Sequence, residues 1–491
     1  MNVSRGLRRR TVLRHAALMI GVGLTAGCAL APLPLQIPVP TVARPLRVLA
    51  AYTGSPAGGD SEPSWLPVIR SAVEHVNASA LGKRVAARLE LAVFSADQAP
   101  GAYQRQGDRR VLFATAYFDA LAERAAAADV LFVDGDCLWE LDQHQVLAPL
   151  TTLLAQDARQ HPADYYPTVL TLGQTHGEQL LLPLAVLPQL MHFDGRLFRA
   201  AGLTPPPPDQ PWTWQQLINA APALSRVGLG GAGIPHWTCE VPSLAPEIPI
   251  WQAGGQVIGA DGTVLVDQLA AVQGVTFWQD LVDRYHLIQT SSQPPLPVAH
   301  PNLPNATVAW GGFAATWFDL PTAYPAKSIA DIGVHWEDGL GVAPIPVGVP
   351  GGTLPATKLV MTLGAGVSAA SSEPARAFAA LRDLEAAAGA GLLLSARRPL
   401  AVKMLEQGPI DRRFASALGW GMAVGRVSQA DQVGRGTALA MQLGQVFVGY
   451  QNPTPLSPTL ACAWAAQVLR QQLAQPTALP AAAGLPGNRS G

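Results

Sequence analysis

Apolar and polar positions alternate along this chain in two recurring periods. Arg47-Val48-Leu49-Ala50-Ala51-Tyr52 is a short strand-like run, stopped by a loop from Thr53 to Ser64 rich in Gly, Pro and Ser. From Trp65 to Asn77 the spacing becomes helical, with Trp65, Ile69, Val73 and Val76 on one face. Arg88 to Phe94 alternates as a second strand, Phe113 to Ala127 is an alanine-rich helix, and Asp129 to Val133 is a buried strand. Strands and helices that alternate at these lengths predict a parallel sheet with crossover helices. The alternation returns further on. Leu180 to Phe193 is strand-like, though interrupted by Pro183 and Pro188. Trp212 to Leu224 is a helix that Thr213 can cap, Val272 to Tyr285 carries the stripe Val275, Trp278, Val282 and Tyr285, and Glu373 to Ala388 is a further helix. No short-period repeat is present.

The first residues follow another logic. Arg5, Arg8, Arg9, Arg10 and Arg14 precede an apolar run from Ala16 to Leu24, too short to span a bilayer, which ends in Thr25-Ala26-Gly27-Cys28. This is the pattern of a secretory signal over 1–27 with a lipobox, so that Cys28 is expected to be acylated and to tie the exported chain to the membrane. Thr25 replaces the usual aliphatic residue. Arg9-Arg10 also fits a twin-arginine leader, and the residues leave the export route open. Prolines 32, 34, 38, 40 and 45 then mark a stiff tether over 28–45. At the other end, 476–491 is an Ala/Pro/Gly-rich tail expected to be disordered.

Charge narrows the function. Five of the 33 basic residues fall in the leader, leaving 28 against 34 acids, a net charge of about −6. Such a surface has no basic footprint for nucleic acid. Cys137, Cys239 and Cys462 are widely spaced and allow at most one disulfide, and no Cys-x-x-Cys or His-x-x-x-His pair suggests zinc. Neither a metal nor a cofactor is expected.

Several segments, taken in order, resemble family 1 extracellular solute-binding proteins of ABC importers. They are Ala128 to Gly135 followed by Leu147-Ala148-Pro149-Leu150; Leu182 to Val186 followed by Met191 to Leu203; Pro211-Trp212-Thr213-Trp214-Gln215-Gln216-Leu217, with Gln216 where the family has an acid; and then Gly254-Gly255, Val308 to Gly312, Gly341 to Pro346 and Gly364 to Ser368. The resemblance implies an α/β chain of two lobes, each a mainly parallel sheet flanked by helices and joined by a strand hinge. The N-terminal lobe would comprise 46–184 plus 365–410, and the C-terminal lobe 185–364 plus 411–475. It further implies a monomer that closes on a small polar ligand, a neutral sugar by the low charge and the twelve tryptophans, and that partners importer permease subunits.

Sugars present apolar ring faces and polar edges, so aromatics and carboxylates or amides are the expected lining. Carried over residue by residue, the family pattern points to Tyr52 and Trp65 around the first loop, Asp136 after the Asp129–Val133 strand, and Gln189 after the first hinge strand. In the second lobe it points to Trp251 before Gly254-Gly255, and to Trp310 and Phe313 in a turn-rich loop. Trp65 could equally open the core face of its helix, Trp251 could equally be core, and Asp136 could simply make a turn. Trp278 is expected in the core. Asp134, Asp136, Glu140 and Asp142 are dense, but Leu138 and Trp139 break a calcium loop. A glycosidase would need two carboxylates across a cleft, which spacing does not reveal. A surface hydrolase, and a sensor or adhesin with the same fold, therefore remain beside the binding module.

Overall fold

The computed structural model describes residues 44–53, 62–63, 65–81, 88–99, 103–106, 109–112, 114–157, 159, 162–227, 237–241, 244–287, 314–319, 340–352, 354–389, 391–392, 394–407, 412–447 and 455–474. The leader, Cys28, Trp310, Phe313, the 476–491 tail and residues 408–411, where the expected lobe segments 365–410 and 411–475 meet, lie outside them.

The first sheet begins as the alternation predicts. β1 (Leu46–Tyr52) pairs in parallel with β2 (Leu89–Ser95) on one side and, across the short hairpin β3 (Tyr103–Gln106) and β4 (Arg109–Leu112), with β5 (Val130–Val133) on the other. Val48 stands beside Leu91 and Val130, and Ala50 beside Val93 and Phe132. All four residues of β5 are buried, as expected for a strand covered on both faces. Helices Leu66–Leu81 and Ala114–Ala125 are the crossovers, and Pro374–Ala388 adds Phe378, Leu381 and Leu384 to the same core.

A minor hairpin, β6 (Gln174–Thr175) with β7 (Glu178–Gln179), leads to β8 (Leu182–Pro188), which runs directly into β9 (Leu190–Asp194). β8 is antiparallel to the eleven-residue β13 (Thr357–Val367), which is also antiparallel to β5 and parallel to β14 (Gly425–Arg426). The antiparallel strands enter because the chain comes back to this sheet from the second half rather than through a local crossover. Pro183 and Pro188 are compatible with β8 because its outer bonds use the residues between them. Leu184 O accepts from Ala396 N at 3.0 Å, and Val186 N donates to Leu394 O at 3.2 Å.

The second sheet has the order β10 (Trp237–Glu240), β11 (Ala314–Asp319), β9, β12 (Leu340–Ala343), with one parallel and two antiparallel pairings. Helices Trp214–Leu224, Glu247–Gln252, Leu269–Asp283 and Pro458–Ala474 enclose its core. Thr213 does cap its helix. Its Oγ1 accepts from Gln216 N at 3.1 Å, while Gln216 Oε1 accepts from Thr213 N at 2.7 Å, so the glutamine completes the reciprocal box that an acid would make. Trp278 is 2 % exposed and donates to Val241 O, a core position as expected.

From Arg44 onward the chain is one compact unit holding two apolar cores. Among the described residues the chain changes core between Leu190 and Met191, between Ala356 and Leu359, and between Val427 and Ala430, and β12 adds Val342 to the first core while its neighbour Ala343 packs in the second. Near the start of the first core Asp129 gathers Arg44 Nη1 and Nη2 at 2.9 and 2.6 Å, Arg47 N at 3.0 Å and Ser371 Oγ at 2.7 Å. Against the cost of burial, these donors hold its carboxyl down to about 2.

Candidate functional site

β1 and β5 end side by side, with Ala51 opposite Val133, so the residues that follow them lie together at the carboxyl edge of parallel strands. This is the edge at which open α/β sheets bind ligands. Asp134 organises it. Its Oδ2 accepts from Thr53 N at 3.0 Å and from Thr53 Oγ1 at 3.2 Å, and its Oδ1 accepts from Trp65 Nε1 at 3.2 Å. Tyr52 meets Trp65 edge to face, with centroids 6.3 Å apart and planes at 87°. Tyr52 is half-buried, and burial, reinforced by the charge of Glu62, raises its phenol above the ordinary value. Trp65 is buried and packs with the first core. The structure thus brings Tyr52, Trp65 and the Asp134 loop together. The backbone of Asp136 lies in the 3₁₀ turn Gly135–Cys137 of that loop, while its side chain is outside the described set.

Gln189 occupies the link between β8 and β9. Its N donates to Lys358 O at 2.8 Å, its carbonyl accepts from Thr357 Oγ1, and its Oε1 accepts from Ala245 N at 3.0 Å. It therefore ties β13 to the second half at the first passage between cores. Trp251 sits in the second core at 3 % exposure, on a helix whose six residues are all buried. The structure does not bring it to the Asp134 loop.

Three features escaped sequence reading. Lys358 Nζ lies 2.8 Å from Glu247 Oε1 and 2.8 Å from Asp431 Oδ2, linking β13 to two elements of the second half. The pair holds the Glu247 carboxyl low and the Lys358 ammonium above its usual range, in both cases against desolvation. Trp139, on helix Leu138–Gln143, is buried with Arg435 over its ring at 5.6 Å and the His176 ring at 6.3 Å. Trp420 shares a helix with Ala417, Leu418 and Met422 of the first core yet packs against the second. No local motif marks these residues, because each acts by bridging segments far apart in sequence.

Asp134 and Asp142, two of the four clustered carboxylates, face different partners. Asp134 holds Trp65, whereas Asp142 faces His176 at 3.6 Å. Among the described residues no group of three His, Cys, Asp or Glu could hold a metal ion.

Residues 113–389, more than half of the chain, match the family described as bacterial extracellular solute-binding protein. The chain belongs to that family. No curated protein matches it. Solved structures resemble it in fold. An ABC substrate-binding protein from Listeria monocytogenes in complex with cycloalternan has 15 % identity and a TM-score of 0.61, covering 88 % of this chain and 100 % of its own. A cyclic alpha-maltosyl-1,6-maltose binding protein from Arthrobacter globiformis has 17 % identity and a TM-score of 0.61, covering 87 % and 99 %. An ABC transporter solute-binding protein from Thermotoga lettingae bound with alpha-D-tagatose has 15 % identity and a TM-score of 0.57, covering 88 % and 100 %. The family member described here thus has the two-lobed α/β fold of these proteins. Among its described residues no helix is long and apolar enough to cross a membrane.

Proposed function

We propose that this chain is the binding component of an ABC-type importer, which captures a sugar or oligosaccharide between its two halves and presents the closed form to the permease subunits. The observation that carries this reading is the placement of the aromatic and carboxylate set, Tyr52, Trp65 and Asp134, at the carboxyl edge of β1 and β5 in a chain that holds two apolar cores. Halves that each hold their own core can move as bodies, and a ligand touching both shifts the population toward closure. The carbohydrates bound by the structural relatives support the ligand class. Asp136, Gln189, Trp310 and Phe313 are assigned to the lining, with Trp251 supporting it from the core. The protein acts as a monomer and catalyses nothing on its ligand.

A thermal-shift screen of the mature protein over a sugar library tests this. A ligand that binds the folded state alone, at a hundred times its Kd, adds about 2.7 kcal/mol and must raise the melting temperature. A shift with a mono- or oligosaccharide that is recovered intact is expected. Absence of any carbohydrate shift would refute the reading, and turnover of the bound sugar would replace it with a hydrolase.

The leader and Cys28 further support export with a lipid anchor. One acyl chain alone gives only marginal membrane attachment, so the several chains of a bacterial lipoprotein N-terminus are required for stable retention. Cys28→Ala should move the protein from the membrane fraction to the soluble exported pool. Wild-type protein found unacylated by mass spectrometry and soluble would exclude the anchor.

A further inference from the structure

Arg435 is an unusual arginine in this chain. Its side chain is 5 % exposed, yet no carboxylate lies within ion-pairing distance among the described residues. Its Nε has no hydrogen-bond partner, and Nη1 reaches only the backbone O of Gly434 at 3.4 Å. Two less buried arginines are each matched by an aspartate, Arg382 by Asp157 and Arg397 by Asp164 at 3.0 Å, although Arg397 Nε also has no partner. Arg435 instead lies over the Trp139 ring, a contact that offsets part of the desolvation cost of a buried cation but supplies no ion pair. Glu140 attracts it from a longer distance without reversing the effect of burial.

The contact is built into the backbone. Gly434 has φ +66° and a Cβ there would stand 2.4 Å from Trp139 Cδ1, so only glycine lets the turn press against the indole. Trp139 follows the Gly135–Cys137 turn of the first half, and Arg435 opens helix Gly436–Leu443, whose Leu439 and Leu443 belong to the second core. The pair therefore bridges the halves next to the loop assigned to the ligand. Arg426, on the same passage between cores, is half-buried and also makes no ion pair among the described residues. Two cations that make no ion pair among the described residues thus lie on or just after the segment that crosses between the halves.

We propose that Arg435, stacked on Trp139, receives an anionic oxygen group carried by the ligand, so that the solute is an acidic carbohydrate bearing a carboxylate or a phosphate ester. The planar guanidinium offers a fork of donors that matches either group, and an anion would supply the direct ion pair that Glu140, at longer range, does not make. The inference rests on the proposed binding function and narrows its ligand class away from the neutral sugar that low overall charge suggests.

The test is calorimetry on the full mature chain with matched probes: galacturonate against galactose, digalacturonate against galactobiose, glucuronate against glucose, and glucose 6-phosphate against glucose. At least one acidic probe should bind about tenfold or more tightly than its neutral partner. Arg435→Gln should lower affinity for the acidic probe at least about tenfold more than for its neutral partner, and Arg435→Lys should retain part of the preference, since the charge survives but the fork does not. The uronate and phosphate arms decide which anion is taken. Preference for neutral probes, or an equal loss on both members of a pair in Arg435→Gln, would overturn the inference while the binding function stands. If no carbohydrate of either charge binds, the function itself fails and the inference falls with it.

Discussion

Replacing Lys358 by Met should destabilise the protein by about 3–5 kcal/mol, because it leaves the Glu247 carboxylate, 1 % exposed, without its cation. The companion variant separates cost from contribution. With Lys358→Met and Glu247→Gln combined, no buried charge is left unpaired, and most of the loss should be recovered, since apolar or neutral replacement of a buried pair is often close to neutral. Asp431 can tolerate the change because it is 40 % exposed and regains water. Urea denaturation of the two variants at pH 7 measures both quantities. A single variant as stable as wild type would mean that Glu247 finds another partner or is already neutral.

The same ion group predicts the direction of the pH response. The folded-state pKa of Glu247 lies below its ordinary 4.5, so the stability it contributes is present above that value and is lost as pH falls through the folded pKa. The folded-state pKa of Lys358 lies above its ordinary 10.5, so its contribution is complete below that value and is lost only as pH rises through the higher folded pKa. Between about pH 5 and 10 the full effect operates. In Lys358→Met the unpaired carboxyl titrates upward instead, and the gap to wild type should close on acidification.

The fold was legible where one segment carries its own period. β1, β5 and the helix from Leu66 followed from runs such as Val48-Leu49-Ala50-Ala51 and from the Trp65, Ile69, Val73 stripe. Thr213 announced its cap because capping is settled within four residues. The hairpin β3–β4 was not foreseen, since Tyr103–Gln106 and Arg109–Leu112 are short and polar and obtain their pairing from each other rather than from a buried face. The antiparallel placing of β13 is set by tertiary return, which no local pattern encodes. The site was legible in the same measure. Tyr52 and Trp65 stand out in the sequence by the loop between them, but Asp134, which the structure places with them, lies 69 residues beyond Trp65. Trp251 shows the converse limit: an aromatic before a glycine pair has the same spelling whether it faces a cleft or, as here, fills a core.

Gly135→Ala should be the most damaging single methyl in the Asp134 loop. A Cβ at this position would stand 1.9 Å from Met361 O and 2.5 Å from Met361 C, so the obstacle is the backbone of β13 and no rotamer can yield. β13 has little freedom to retreat there, being paired with β8 through Met361–Val186 on one side of the contact and with β5 from Gly364 onward. The loop must move instead, carrying Asp134 away from Thr53 and Trp65 and displacing Asp136. Overpacking of this kind costs roughly 1–3 kcal/mol and occasionally more, and a rigid backbone partner places this case at about 3 kcal/mol. Loss of the donors gathered by Asp134 should also weaken ligand binding in the fraction that still folds. Gly419→Ala is the control. That residue lies within helix Arg412–Val424 with open space where the methyl would go, so the change should stabilise by roughly 0.5–1 kcal/mol through helix propensity. Denaturation midpoints of opposite sign for the two alanines are the expected result. An unchanged midpoint and unchanged affinity in Gly135→Ala would mean that the turn does not rest on β13 and that the loop is not held where the ligand is proposed to bind.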